Sequence, residues 1–273
     1  MNKNIFGLIG YTVLDNGSKK VLVMADRHDE LPPCDYDYHN IADWLKDKFY
    51  TSDILLEEVE RDDNELQELW ATSPHTQDLK NLYLNNIDIV VPIDIRNDYI
   101  PFSWELFDKD NNDHDINVID YLQHINSFFT LGNKKLTKLA YYNIKSLKNT
   151  SLGNYYLIIK KQYKMYIHSI RKYLYIKLKN IDRNIIFNKF NNILNLILEW
   201  YAISKIIYSK KKSIIIHTGL AHSEVIVKNL IEIFNYNILH EDGINNMSVI
   251  ETKNLKSCFR LPISMHNQFG GYY

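Results

Sequence analysis

Histidines, carboxylates and an arginine collect where short apolar runs stop. After "VLVMA" come Asp26, Arg27 and His28; after "DILL" come Glu57 and Glu58; after "VVPI" come Asp94 and Arg96; after "SIIIHT" comes "GLAH", ending on His222. Two imidazoles with a carboxylate are a common donor set for a divalent ion, the carboxylate supplying charge and the neutral imidazoles affinity for zinc, manganese, iron or cobalt. Such an ion lowers the pKa of its bound water and polarises a carbonyl, so the matching chemistry is hydrolysis. Each piece also has an ordinary reading. A lone histidine after a strand usually belongs to a loop or the core. "LLEEVE" reads equally as an acidic first helical turn favoured by the helix dipole, and Asp94 with Arg96 reads as a structural ion pair. "HTGLAH" carries more weight, because a glycine three residues before a histidine, between a strand and a helix, lets the backbone turn tightly and aims the imidazole over the sheet.

Bringing these groups together requires strands that end side by side. Residues 4 to 14 and 20 to 25, joined by "DNGSKK", read as strand, turn, strand, with Asn-Gly as the hairpin signal. "NIADWLKDKF" places Ile41, Trp44, Leu45 and Phe49 on one helical face. "SDILLEEVE" reads as a strand, "NELQELW" and "SPHTQDLKNLYL" as helices, the second with Ser73 as cap and Pro74 at its first position, and "IDIVVPIDIR" as another strand. From about 103 to 211 the strand signal disappears into helical segments, "DKDNNDHD" reading as a solvated loop. "KSIIIHTGLAHSEVIVKNLIEIFNYNILHE" then returns to strand, loop, helix, strand, and "CFRLPISMHNQFGGYY" offers an edge strand. Strands alternating with helices predict one α/β domain over 1–273: a mixed, mostly parallel central sheet flanked by helices, with a large all-helical insertion at about residues 103–211. Function in such a sheet gathers beyond the carboxyl ends of its strands.

Composition narrows the class. The 273 residues are 45% hydrophobic and 24% charged, ordinary for a globular chain. A formal net charge of −1 gives no global attraction to nucleic acid or anionic lipid. Cys34 and Cys258 are too few for a disulfide framework or a Cys-rich zinc site, which favours a reducing, cytoplasmic compartment. No apolar run is long enough to span a membrane. Heavy use of Asn, Ile, Lys and Tyr, with 20 tyrosines, is the codon signature of an AT-rich genome, such as that of a large DNA virus or parasite; a viral source would place the protein in the host cytoplasm.

The motif order resembles that of the superfamily containing TraB/PrgY proteins, Tiki-type metalloproteases, erythromycin esterases and ChaN-like haem-binding proteins. Those share a Gly-x-x-His after an early strand, a Glu ending the next strand and a second Gly-x-x-His near the C-terminus, with helices between. Here "ADRH", "LLEE" and "GLAH" stand in those places over roughly residues 20 to 240, with Ala25 where the first motif usually has glycine. The resemblance implies a metal or catalytic set of His28, a glutamate and His222, with Asp26, Asp94 and Arg96 around it. A glutamate followed by an apolar residue, as in TraB and Tiki proteins, selects Glu58 before Val59 as the metal ligand, whereas counting from the strand core selects Glu57. Both stand as candidates, one as ligand and the other as general base.

The leading expectation is therefore a metal-dependent hydrolase of a peptide or ester bond, acting on a small molecule or peptide. The runner-up is a non-catalytic protein on the same scaffold that holds haem or another ligand, with the tyrosines of "DYDYH" and "NQFGGYY" as candidates. A third is an inactive interaction scaffold whose Tyr- and Lys-rich helices at 155 to 179 form a basic surface. Amphipathic helices with snorkelling lysines explain the same residues, so nucleic acid is not an expected partner; a homodimer is compatible with any of the three. His75 reads as a surface residue in a first helical turn. His217 reads as turned away from the crevice by strand alternation, and Cys34 as no nucleophile.

Overall fold

The computed structural model describes residues 4–35, 37–59, 73–100, 116–129, 150–250, 255–263 and 269. The expected helices at "NELQELW" and "KKLTKLAYYNIKSL", the loop "DKDNNDHD" and most of "NQFGGYY" lie outside them. The described residues divide into two compact units, 1–94 with 202–273, and 95–201.

The first unit is built on the strands β2 (Gly10–Asp15), β3 (Lys20–Asp26), β5 (Ser52–Val59), β6 (Val90–Asp94), β7 (Ser213–Gly219) and β8 (Asn237–Gly243), in the order β6-β5-β7-β3-β2-β8. The predicted hairpin forms between β2 and β3. Gly17 takes φ +83°, and Asn16 Oδ1 accepts the N–H groups of Ser18 and Lys19, which closes the turn. β3 pairs parallel with β7, β7 with β5 and β5 with β6, whereas β2 and β8 add antiparallel. The sheet is mixed and mostly parallel, as the alternation of strands and helices predicts.

One expectation needs correcting. The apolar stretch 4 to 14 is two strands, because Gly7 at φ +110° breaks it. β1 (Asn4–Phe6) leaves the main sheet and joins β4 (Tyr38–Asn40) and the short β9 (Cys258–Phe259) in a three-stranded sheet. That sheet carries the edge strand that "CFRLPISMHNQFGGYY" offers. It also holds a covalent link: Cys34 and Cys258 form a disulfide across a Cα separation of 5.7 Å.

Both faces of the main sheet are covered. On one, Leu22, Met24, Ile54, Leu56 and Ile215 pack against helices α1 (Ile41–Lys46) and α2 (Pro74–Leu84) through Trp44, Leu45, Leu79 and Leu82. On the other, Ala25 and Ile9 meet Leu220, the first residue of α6 (Leu220–Phe234). Each such side chain removed from water contributes roughly 1.5–3 kcal/mol.

The second unit is helical. It contains α3 (Val118–Phe129), α4 (Ser151–Ser169) and most of α5 (Arg183–Tyr208), which leads the chain back to the first unit. Its core is aromatic: Phe129 stacks on Tyr163 with centroids 4.1 Å apart, Tyr121 on Phe190 at 4.7 Å, and Phe128 meets Trp200 edge to face. Of the Tyr- and Lys-rich helices expected at 155 to 179, α4 ends at Ser169 and the chain continues as two short 3-10 turns. No helix among the described residues is long and apolar enough to cross a membrane.

Candidate active site

The carboxyl ends of β3, β7 and β5 lie side by side, and β7 is the strand at which the connectivity reverses, flanked by β3 on one side and β5 on the other. Chain crossovers diverge at such a point and leave a crevice. In parallel register Asp26 lies opposite Gly219. That pairing brings "ADRH" and "GLAH" together across almost two hundred residues.

Asp26 is fully buried and organises one side of the crevice. Its Oδ1 lies 2.9 Å from His75 Nε2 and accepts the Arg27 N–H at 2.6 Å, while its Oδ2 lies 3.2 Å from His28 Nδ1. Burial alone would raise the Asp26 pKa. The hydrogen bonds from His28 and His75, and the charges of His217 and His28, overcome it and hold the carboxyl well below the ordinary range. The carboxylate only accepts, so Nε2 of His75 carries the proton facing it.

Glu57 organises the other side. Its Oε2 accepts the Gly219 N–H at 2.7 Å and lies 3.9 Å from His28 Nε2; its Oε1 lies 3.5 Å from His222 Nε2. Glu57 and His222 are about one-tenth exposed, and the His28 ring is about half exposed. Burial works against charge on His28, but the hydrogen bond to Asp26 and the charges of Glu57, Asp26 and Glu58 outweigh it and raise its pKa to about 9. At neutral pH the ring is an imidazolium, with Nδ1 held by Asp26 and Nε2 turned to Glu57.

The roles of the two glutamates separate here. Between Leu56 and Val59, β5 carries one more residue than its partner β6, a bulge that re-aims the side chains beside it. Glu57 makes the contacts with both imidazoles and the Gly219 amide. Glu58 lines the same small cleft, of about 30 Å³, together with His28, Glu57, Leu56, Thr76, Leu79 and His217. These contacts belong to Glu57, the residue selected by counting from the strand core, while Glu58, which the motif's apolar follower selects, lines the same cleft and its charge acts on His28.

Gly219 also differs from expectation. Its φ is −54°, which any residue adopts, so no tight left-handed turn calls for it. A Cβ there would sit 3.1 Å from His28 Nε2 and 3.5 Å from Glu57 Oε2. Glycine is present because the reactive groups approach its backbone.

Two histidines read as incidental are part of the site. His75 is 1% exposed and binds Asp26. A crossover helix begins at the edge where the preceding parallel strand ends, and that topology was the available signal. His217 pairs in register with Met24, on the same face of the sheet as Asp26, so alternation turns it into the cleft. Its Nε2 donates to Gly7 O at 3.3 Å, and burial lowers its pKa, with the Asp26 charge opposing and those of His28 and His75 assisting. It is the neutral counterpart of His28. Asp94 is buried at the end of β6, opposite Val59, and Arg96 belongs to the helical unit, where Nη1 donates to Asn195 Oδ1 at 3.3 Å.

His28, Glu57 and His222 have the donor chemistry of a metal site. Their spacings of 3.5 and 3.9 Å exceed the roughly 3.3 Å between ligand atoms around a tetrahedral zinc with bonds of about 2.0 Å. Among the described residues no group of three or more His, Cys, Asp or Glu side chains has the spacing to hold a metal ion.

Beyond the cleft, the loop carrying His28 is tied down. Cys34 is bonded to Cys258, and Ser257 Oγ donates to Pro32 O. Comparison with protein-family models, with characterised proteins and with solved structures finds no match to this chain.

Proposed function

We propose that this chain is a hydrolase of ester or peptide bonds in which a water molecule is activated at Glu57. The observation that carries the reading is the Glu57 carboxylate, gripped by the Gly219 amide with an imidazole on each oxygen, beside a cleft with room for one or two waters. Glu57 with His222 takes the proton from the attacking water. His28, held as an imidazolium by Asp26, stabilises the oxyanion or protonates the leaving group.

A second reading keeps the same residues. Both Nε2 atoms turn to one carboxylate, and Asp26 fixes the remote nitrogen of His28, an arrangement common around metal ligands. A divalent ion held by His28, Glu57 and His222 would acidify the attacking water. The resemblance to TraB, Tiki and erythromycin-esterase motifs supports hydrolysis under either reading.

The test is turnover of a panel of activated esters, lactones and fluorogenic peptides by wild type and Glu57→Gln, each with metal content measured. Loss of roughly 10²- to 10⁴-fold in kcat for Glu57→Gln supports the proposal. Wild-type turnover no greater than that of the variant across the panel overturns it. Near-stoichiometric metal in wild type, absent from His28→Ala and His222→Ala, selects the second reading.

A further inference from the structure

We propose that the outward face of α4 and the turn that follows it bind an anionic lipid surface. Residues 151 to 181 contain seven Lys and Arg and no Asp or Glu, in a chain whose net charge is −1. This concentration of positive charge is a local feature, and it lies wholly within the helical unit.

The helix has two distinct faces. Leu152, Tyr155, Tyr156, Ile159 and Tyr163 are buried, at the spacing of one helical stripe. On the opposite side Ile158, Lys161 and Met165 follow one another at intervals of three and four, flanked by Leu157 and Lys164. Single exposed apolar side chains are ordinary on a soluble helix, whereas on this one several lie along one side. Here Leu157 is 63% exposed, Met165 64% and Ile158 45%, and in the following turn Tyr175 is 79% exposed. Aliphatic side chains flanked by lysines are the composition of a helix lying in a membrane interface: the apolar tips enter the acyl boundary while the ammonium groups reach the headgroup phosphates.

Lipid fits these residues better than nucleic acid does. A surface for single-stranded nucleic acid offers flat rings on which bases stack. Of the large apolar side chains exposed between 151 and 181, only Tyr175 is aromatic, and the ring of the neighbouring Tyr173 is already covered by Lys172 Nζ at 4.8 Å from its centre. The proposal is independent of the hydrolase reading, since the site residues lie in the other unit.

Co-sedimentation of the full chain with vesicles of phosphatidylcholine, with and without phosphatidylserine, tests it. Binding is expected only with phosphatidylserine, and it weakens as salt rises. Near an anionic surface each lysine is worth about fivefold in partition, so Lys161→Gln with Lys164→Gln lowers binding roughly 25-fold. Leu157→Ser with Met165→Ser also weakens it, which a purely electrostatic contact would not. These side chains are exposed, and an unchanged Tm shows that the variants fold. Absence of binding to phosphatidylserine vesicles, equal binding to both vesicle types, or equal binding by wild type and both variants overturns the proposal. So does oligonucleotide binding indifferent to Leu157→Ser/Met165→Ser, or a dimer in light scattering that those substitutions dissociate, which would assign the face to nucleic acid or to a second copy.

Discussion

The two units bury their interiors with opposite chemistry. At the carboxyl end of the α/β sheet, Asp26, His75, His217 and His222 are all at least nine-tenths buried, and their interactions run through protons and charge. In the helical unit the corresponding volume is filled by Phe128, Phe129, Tyr156, Tyr163 and Trp200, which meet ring to ring. Aromatic burial stabilises without specifying a protonation state. A buried carboxylate with its histidine partners contributes less net stability, because desolvation consumes most of the attraction, yet it fixes which nitrogen carries a proton and which way each ring faces.

Substituting one residue from each region sharpens this contrast. Asp26→Asn removes the negative charge and keeps one accepting oxygen while putting an NH2 donor in place of the other, so one of His75 and His28 meets a donor, at a cost of about 3–5 kcal/mol, in the range for breaking a buried charge pair. Phe128→Ala costs a similar amount, about 3–5 kcal/mol, through the cavity left against Trp200 and Tyr156. The similarity is confined to denaturation curves. The histidine titrations should be rearranged in Asp26→Asn and unchanged in Phe128→Ala when followed by NMR. Equal shifts in both variants would mean that the charged cluster has no identity separate from general packing.

The disulfide bears on the same contrast, because it clasps the loop that carries His28 to the small sheet at β9. Replacing Cys34 and Cys258 by Ser should lower stability by about 2–4 kcal/mol, the usual range for a cross-link closing a long loop. Reduction with a dithiol should produce the same loss in wild type and none in the double variant. If the clasp also orients His28, the double variant loses activity at temperatures where it remains folded. Full activity there would make the link a purely structural one.

Much of the α/β unit was readable because its signals are local. Apolar runs mark β3, β5, β6 and β7, Asn16-Gly17 marks the hairpin, and the residues just past each run lie at the crevice. His28 and His222 follow from that reasoning. The features that escaped it depend on pairing between distant segments. The glutamate facing the imidazoles is set by the bulge of β5 against β6, and nothing in "LLEEVE" encodes where β6 pairs. Alternation alone does not tell whether His217 shares a face of the sheet with Asp26; the β3–β7 register decides that. His75 becomes a site residue only because α2 starts at the same edge as Asp26. The Cys34–Cys258 link joins residues 224 positions apart, beyond any local pattern.

The smallest effect is the most discriminating, because it sets two histidines of one cleft against each other. The His28 pKa is raised from an ordinary 6.5 to about 9, mainly by the hydrogen bond to Asp26 against the pull of burial. A group whose folded pKa is raised contributes stability that is fully present below pH 6.5 and is lost as pH rises through about 9. Wild type should therefore lose stability between those limits relative to His28→Gln. The exposure of the His28 ring keeps the difference small. His217 has its pKa lowered, so its contribution runs the other way: it is present above pH 6.5 and declines as acid forces charge onto a buried ring. A hydrolase that needs the His28 imidazolium shows an activity limb falling near pH 9. Asp26→Asn, which removes the charge beside His28 Nδ1, moves that limb towards neutrality. An alkaline limb that stays in place in Asp26→Asn would separate the Asp26 cluster from the chemistry at Glu57.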